Sequence, residues 1–459
     1  MSNIGMLHFK VGSTDGVSLE MDKWKRILEE MGHTIHFAAG DLGTLDGTII
    51  EEMYHHTREA RTLYDNTFVA LTKYNPVSYK IGLDALTNKI AEKLSAWIEE
   101  KQIDFLIPHN IWSVAMNPAA APALARVVRE KQIPTFSHNH DFYWERVDSV
   151  ALTCRPALDL ADFHLPPRDP LITHGVINSL AQTQLRQRKA IESIVIPNVF
   201  DFEASPWEVD EYNQDFRERL GLQENDVLIL QATRIVPRKG IELALDFVAA
   251  LNHPERRARM VADGLYNGRC FTPHSRIVFV LAGYAQDDTT GYVDKLRHKI
   301  EQMGIEALFI EDMVDARREM RDGQKIYSLW DTYAHADFIT YPSLWEGWGN
   351  QLLEALRVKL PFLLFEYPVY AADIKQAGLQ AVSLGAEVTS WDENGLAQVP
   401  QTVIEQAADQ ALTLLTTPEL RRAVVEHNFQ VGKKHYSLDA LRKYLTAILQ
   451  ELALRLPAP

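Results

Sequence analysis

Only two cysteines, Cys154 and Cys270, occur in this chain of 459 residues. That is too few for a disulfide framework, and it points to a reducing, cytoplasmic setting. No run is apolar for long enough to span a bilayer, and no signal peptide precedes the first strand-like segment at residues 4–9. Positive charge is also short: 47 Lys and Arg against 62 Asp and Glu leave a net charge of −15. Nucleic acid is therefore not expected as a partner. Internal repeats and low-complexity segments are missing. So are Gly-x-Gly-x-x-Gly after a strand, Gly-x-x-x-x-Gly-Lys-Ser/Thr, Gly-x-Ser-x-Gly and His-Glu-x-x-His; dehydrogenase and NTPase readings lose their anchors.

What remains is long enough for two cores. With 46% apolar residues and strand-like segments alternating with helix-like ones, the chain reads as two α/β domains with parallel sheets. The most informative run is Ser343-Leu-Trp-Glu346-Gly347-Trp348-Gly349-Asn350-Gln351-Leu-Leu-Glu354. A buried strand is expected at residues 337–341, broken by Pro342 and the two glycines, with a helix over residues 350–359. The N–H groups and dipole of such a helix start suit an anion, and glycines let the backbone come close. A diphosphate fits, which makes residues 347–351 donor-binding candidates. Glu354, one turn in, can accept from ribose hydroxyls, and Glu346 can reach a sugar. Two glutamates flanking a helix start also suit a cap and a solvated face; the Gly-Trp-Gly between them favours the functional reading.

A second run, Leu228-Ile-Leu-Gln-Ala-Thr-Arg234-Ile-Val-Pro-Arg238-Lys239-Gly240, takes an apolar strand into cations and then into a helix with apolar residues at helical spacing. In the first half, residues 104–110 and 133–144 read as strands whose ends carry His109 and Asn110, then His138, His140 and Asp141. Ligands bind beyond the carboxyl ends of open parallel sheets. His138 and His140 share a face if the strand continues, which raises a metal alternative. No further Cys or His spacing supports it, so no metal is assigned. A histidine that only satisfies hydrogen bonds in a cleft wall is the other reading. Asp15-Gly16 lies in a loop, residues 11–17, between the first strand and a helix at 18–31; Asp-Gly is also an ordinary turn.

Glu346-Gly-Trp-Gly with Glu354 resembles the signature of the family-4 retaining glycosyltransferases of GT-B fold, Glu-Gly-Phe-Gly followed by a second Glu, with Trp348 in place of Phe and Asn350 in place of Leu or Ile. The Arg234–Lys239 run comes about a hundred residues earlier, in the family's order, and Ile196-Pro-Asn198 is similar to the segment that closes the family's first domain. The resemblance implies that Arg234 and Lys239 hold the donor diphosphate. A leaving diphosphate gains negative charge, and fixed cations stabilise it most at the transition state. It also implies that His140 acts beside the reacting carbon. Asp15, Gly16, His109, Asn110, His138 and Asp141 would lie on the acceptor side. The Asp-x-Asp spacing of metal-using transferases has no convincing counterpart here, so metal-independent catalysis with no cofactor is implied.

The expected architecture is α/β and GT-B: an acceptor-side Rossmann-like domain at 1–203, a nucleotide-sugar domain at 204–434 facing it across a cleft, and a C-terminal helix within 435–459 crossing back to the first. Residues 203–226 read as a linker. The expected activity is retaining transfer of a hexose from a UDP- or GDP-sugar to a hydroxyl of a small polar acceptor. Another GT-B enzyme, such as a phosphorylase or epimerase, and a sugar-nucleotide binder without turnover are the alternatives.

Overall fold

A computed structural model describes residues 2–12, 15–145, 151–285 and 291–453. The chain divides into two compact units, Met1–Val199 with Leu438–Pro459 and Phe200–Ser437.

The first unit holds a parallel sheet in the order β3-β2-β1-β4-β5-β6-β7. Its strands are β1 (Asn3–Lys10), β2 (Thr34–Asp41), β3 (Thr48–Ile49), β4 (Phe105–Pro108), β5 (Thr135–Asn139), β6 (Ile172–Val176) and β7 (Ser193–Val195). The central strands are buried along nearly their whole length, as strands covered by helices on both faces must be. One face packs on the helix Gly16–Glu30 and on the helix Leu438–Ala453, whose Leu441, Leu445, Ile448 and Leu452 join Ile4, Met6 and Trp24 in one core. Of the loop at residues 11–17, positions 13 and 14 lie outside the described residues, as does the end of the 435–459 segment. The first helix starts earlier than the expected residue 18, because Asp15 caps it: one carboxylate oxygen accepts from the Val17 and Ser18 N–H groups at 3.0 and 3.1 Å.

The second unit repeats the plan with β8 (Val227–Gln231), β9 (Ile277–Leu281) and β10 (Glu306–Phe309). A small sheet of β11 (Val314–Asp315), β12 (Glu319–Arg321) and β13 (Gln324–Ser328) follows, then β14 (Phe338–Tyr341), β15 (Phe362–Leu364) and β16 (Val382–Ser383). The main sheet runs β10-β9-β8-β14-β15-β16. In both units the chain starts in mid-sheet, steps outward, then returns to the other side of its first strand. The strand order therefore reverses between β1 and β4, and between β8 and β14. In open parallel sheets, ligands bind beyond the carboxyl ends of the strands at such a reversal.

The expected linker at 203–226 is not loose chain. Trp207 stacks on Trp330 at 4.0 Å, Phe216 is fully buried, and the Asn213 amide donates to Asp331 at 2.8 Å. Its charged composition masked these anchors. The helix expected over 350–359 ends at Arg357.

Candidate active site

In the second unit, three loops meet at the carboxyl ends of β8, β9 and β14. Thr340 on β14 donates to the Gln231 side chain at 2.5 Å, and Gln231 donates to Thr233 at 2.6 Å, which fixes the exit of β8. A single 3₁₀ turn, Pro237–Lys239, then leads through Gly240 into the helix Ile241–Leu251. Gly240 has φ +57°, and a Cβ there would sit 2.4 Å from the Pro342 carbonyl oxygen. Only glycine lets the two loops come this close. The Leu344 N–H donates to the Arg238 carbonyl at 2.9 Å and pins them together.

This contact brings Glu346 onto the cations. Arg238 Nη1 donates to Glu346 Oε2 at 2.7 Å, and Lys239 Nζ donates to Oε1. Lys239 and Glu346 are both 8% exposed. Burial alone would push the Glu346 carboxyl up, but the charges of Lys239 and Arg238 outweigh it and hold the group below the usual carboxylate range. Burial lowers the Lys239 ammonium, which Glu346 only partly offsets; Arg238 and Arg234 lower it further. Two cations on one carboxylate, with Arg234 near enough to act on Lys239, leave an excess of positive charge in a largely dry site, where it acts strongly on an anion.

The turn after Glu346 ends at Gly349, with φ +127°, where a Cβ would meet the Tyr367 hydroxyl at 2.3 Å. That hydroxyl donates to the Trp348 carbonyl at 2.6 Å. The helix Asn350–Arg357 begins here without a side-chain cap. Trp348 is buried against Tyr436, ring centroids 5.5 Å apart, and supplies packing rather than an open face. Trp345 is the exposed member, 41% exposed, with the Arg238 guanidinium 5.9 Å from its ring centroid. Gln351 is buried, and Glu354 is half-buried, accepting from the Tyr333 hydroxyl at 2.5 Å.

In the first unit, the carboxyl ends of β1, β4 and β5 carry the histidines. Asn110, held at φ +57°, ties the ends together. Its N–H donates to the His138 carbonyl at 3.0 Å, its side-chain oxygen accepts from the His140 N–H at 2.7 Å, and its amide nitrogen donates to Asp141 at 3.2 Å. His109 Nδ1 lies 3.3 Å from His140 Nε2. His138 stacks on Trp24 with centroids 4.4 Å apart. His8 Nδ1 bonds the His109 carbonyl oxygen at 2.8 Å. Burial keeps these rings neutral: His138 is pulled down to about 3, and His109 and His140 lie well below the usual value. Asp15 and Gly16 sit where the helix Gly16–Glu30 begins, Asp15 as its cap.

The structure thus brings together Lys239, Glu346 and the glycine turn in one unit, and His109, Asn110, His138, His140 and Asp141 in the other. Arg234 stands close enough to act on Lys239 electrostatically. Three participants escaped the sequence reading. Arg238 takes a Glu346 oxygen, Tyr333 takes Glu354, and His8 completes the histidine group. A polar residue near the end of an otherwise apolar strand was the available signal for His8; the other two depend on tertiary pairing.

Comparison with known proteins gives the family. Residues 213–431 match the family described as glycosyl transferases group 1. The chain is 38% identical over 440 residues to a mannosylglucosylglycerate synthase of Petrotoga mobilis, covering 96% of this chain and 99% of that protein. It is 37% identical over 444 residues to a mannosylglucosylglycerate synthase of Thermotoga maritima, covering 96% and 98%. A glycosyltransferase crystal structure from Rickettsia africae superposes with a TM-score of 0.62 over 98% of both chains at 13% identity, a likeness of fold. The chain belongs to the group 1 glycosyltransferases, the family-4 enzymes of GT-B fold. No helix among the described residues is long and apolar enough to cross a membrane.

Proposed function

We propose that this enzyme transfers a mannosyl group from a nucleotide donor to a hydroxyl of glucosylglycerate, with retention of anomeric configuration. The observation that carries the donor side is the positive excess left by Arg238 and Lys239 on Glu346, with Arg234 acting on Lys239, beside the start of the helix Asn350–Arg357. The two relatives' names supply the sugar and the acceptor. Of the donors expected from the sequence, GDP-mannose is the one that carries this sugar.

In this reading the second unit binds the donor. The diphosphate lies along the Gly347–Asn350 turn with Arg234 and Lys239 on its oxygens, and Glu354 accepts from the ribose. As the glycosidic bond breaks, charge builds on the diphosphate and the fixed cations stabilise it without reorganising. The acceptor hydroxyl enters on the face the diphosphate leaves, and a donor phosphate oxygen takes its proton. His140, neutral and held by Asn110, positions the sugar by hydrogen bonding and need not act as a base. The cations take the part that a divalent ion plays elsewhere.

The test is incubation with GDP-mannose and glucosylglycerate in EDTA, following GDP release and the proton–carbon coupling at the new anomeric centre. Acceptor-dependent GDP release and an α-linked product are expected. Release that ignores the acceptor, a β-linked product, or activity only with UDP-glucose would overturn the reading at the acceptor, the stereochemistry or the donor respectively. Loss of activity in EDTA, restored by Mg²⁺ or Mn²⁺, would overturn metal independence.

A further inference from the structure

The histidine group at the end of β4 and β5 has a second chemistry. His109, His138 and His140 each offer a ring nitrogen, and these nitrogens lie within 4.8 Å of one another. A tetrahedral zinc ion with Zn–N bonds of about 2.0–2.1 Å needs its nitrogens about 3.3 Å apart. One pair, His109 Nδ1 and His140 Nε2, already stands at 3.3 Å. The two remaining distances both involve His138 and lie within 4.8 Å, so closing them falls to movement of that ring, which stacks on Trp24. That ring is the one with no competing bond, since neither of its nitrogens has a hydrogen-bond partner beyond a weak contact with the backbone of Ile196. Buried imidazole nitrogens left unpaired cost free energy, and a ligand that takes their lone pairs removes that cost.

We propose that His109, His138 and His140 form a binding site for one divalent transition-metal ion of the zinc type, and that its occupancy shuts off transfer by taking His140 away from the sugar. The ligand set is all imidazole, which suits zinc over magnesium or calcium. Three protein ligands leave a fourth position for water. Without metal, one of the two facing nitrogens of His109 and His140 carries the shared N–H. On binding, that proton moves to the far nitrogen of its own ring, both facing lone pairs go to the ion, and all three rings stay neutral. The Asp141 carboxylate, which accepts from the Asn110 amide at 3.2 Å, stands next to His140 in the chain and offsets part of the ion's charge. His140, 8% exposed, is the member through which an ion enters.

The binding claim stands on the histidines alone; only its effect on turnover rests on the proposed transfer. The experiment titrates the metal-free full chain with Zn²⁺ against a chromophoric chelator, records the visible spectrum of the Co²⁺-substituted protein, and measures transfer with and without Zn²⁺. Expected are one equivalent bound with a Kd of about 1 µM or tighter, the intense bands of tetrahedral Co²⁺, and inhibition reversed by EDTA. His138→Ala and the milder His138→Gln should each weaken Zn²⁺ binding by about 100-fold or more, beyond what loss of an outer-shell contact causes. Absence of stoichiometric binding, an octahedral Co²⁺ spectrum in the wild type, or binding unchanged in both variants but lost in His55→Ala would overturn the site. Tight binding without inhibition would overturn the shut-off. A protein that binds zinc but never transfers mannose would instead overturn the proposed function and leave the site standing.

Discussion

The two units reverse their strand order at the same place and build opposite environments there. At the β8/β14 end, a buried carboxylate is held by Arg238 and Lys239. At the β1/β4 end, the buried groups are imidazoles kept neutral by desolvation, with the Asn110 amide among them. One fold plan therefore supplies an electrostatic site and a hydrogen-bonding site, and the difference comes from the few residues that follow each strand. A charged site suits a leaving diphosphate; a neutral one suits hydroxyls. Each prediction that follows would erase or deepen that contrast.

The largest effect should come from the charged end. Lys239→Ala or Arg234→Ala should lower kcat by about 10²–10³, more than it raises KM. Steady-state kinetics with a parallel thermal melt separates this from unfolding, and an unchanged kcat removes the residue from the diphosphate. His140→Ala should lower transfer by about 10²-fold while GDP affinity, measured by calorimetry, stays nearly constant. His138→Ala should do less. If GDP affinity falls along with transfer, the division of labour between the units fails. Next, Glu354→Ala should weaken GDP binding by about 1.5–3 kcal/mol, the worth of hydrogen bonds to a charged group. Equal binding by mutant and wild type would assign Glu354 to Tyr333 alone.

Acid should expose the contrast more gradually. His174 in the first unit is pulled down to about 4 by burial, although the Pro167 carbonyl bonds it. Below about 6.5 the unfolded histidine binds a proton that the folded one refuses, so its contribution to stability is lost as pH falls from about 6.5 towards about 4. Glu346 is held below the usual carboxylate range, so its contribution is present above about 4.5 and lost only as pH falls through its lower folded value. Melting curves carried from neutral pH to well below about 4.5 should therefore decline in two limbs, and His174→Gln should lessen the upper one, which His109, His138 and His140 share. A single limb starting below 4.5 would contradict the buried neutral histidine. The smallest effect belongs to Asp15→Ala, which removes a helix cap and should lower stability by about 1 kcal/mol without changing GDP affinity. A large loss of turnover at unchanged stability would give Asp15 a role at the acceptor.

Much of this was readable from residue order. Apolar runs ending in His109, His140, Arg234 or the Glu346 turn are strands that stop at a sheet's carboxyl end, because a polar residue there faces the crevice instead of the core. Gly240 and Gly349 announce turns because their backbone angles exclude side chains. Partner choice was hidden. Which cation Glu346 takes depends on how one 3₁₀ turn aims three consecutive side chains, and neither Arg238 nor Lys239 is favoured by its spacing. Asp15 looked like a charge offered to a ligand, yet its oxygens go to its own helix, a local bond that Asp-Gly does not distinguish from a turn. Segment 203–226 looked solvated because its few anchors, Trp207, Asn213 and Phe216, are outnumbered by charges.

The helix Leu438–Ala453 fills the same core as Ile4 and Trp24, although the whole second unit lies between them in sequence. The second unit is a continuous segment, whereas in the first Met6, Trp24 and Phe136 gain part of their cover only from residues beyond 438. The first unit's other face, packed around Leu83, Leu94 and Leu124, is complete within its own N-terminal residues, so only the face holding Met6 and Trp24 depends on the chain's return.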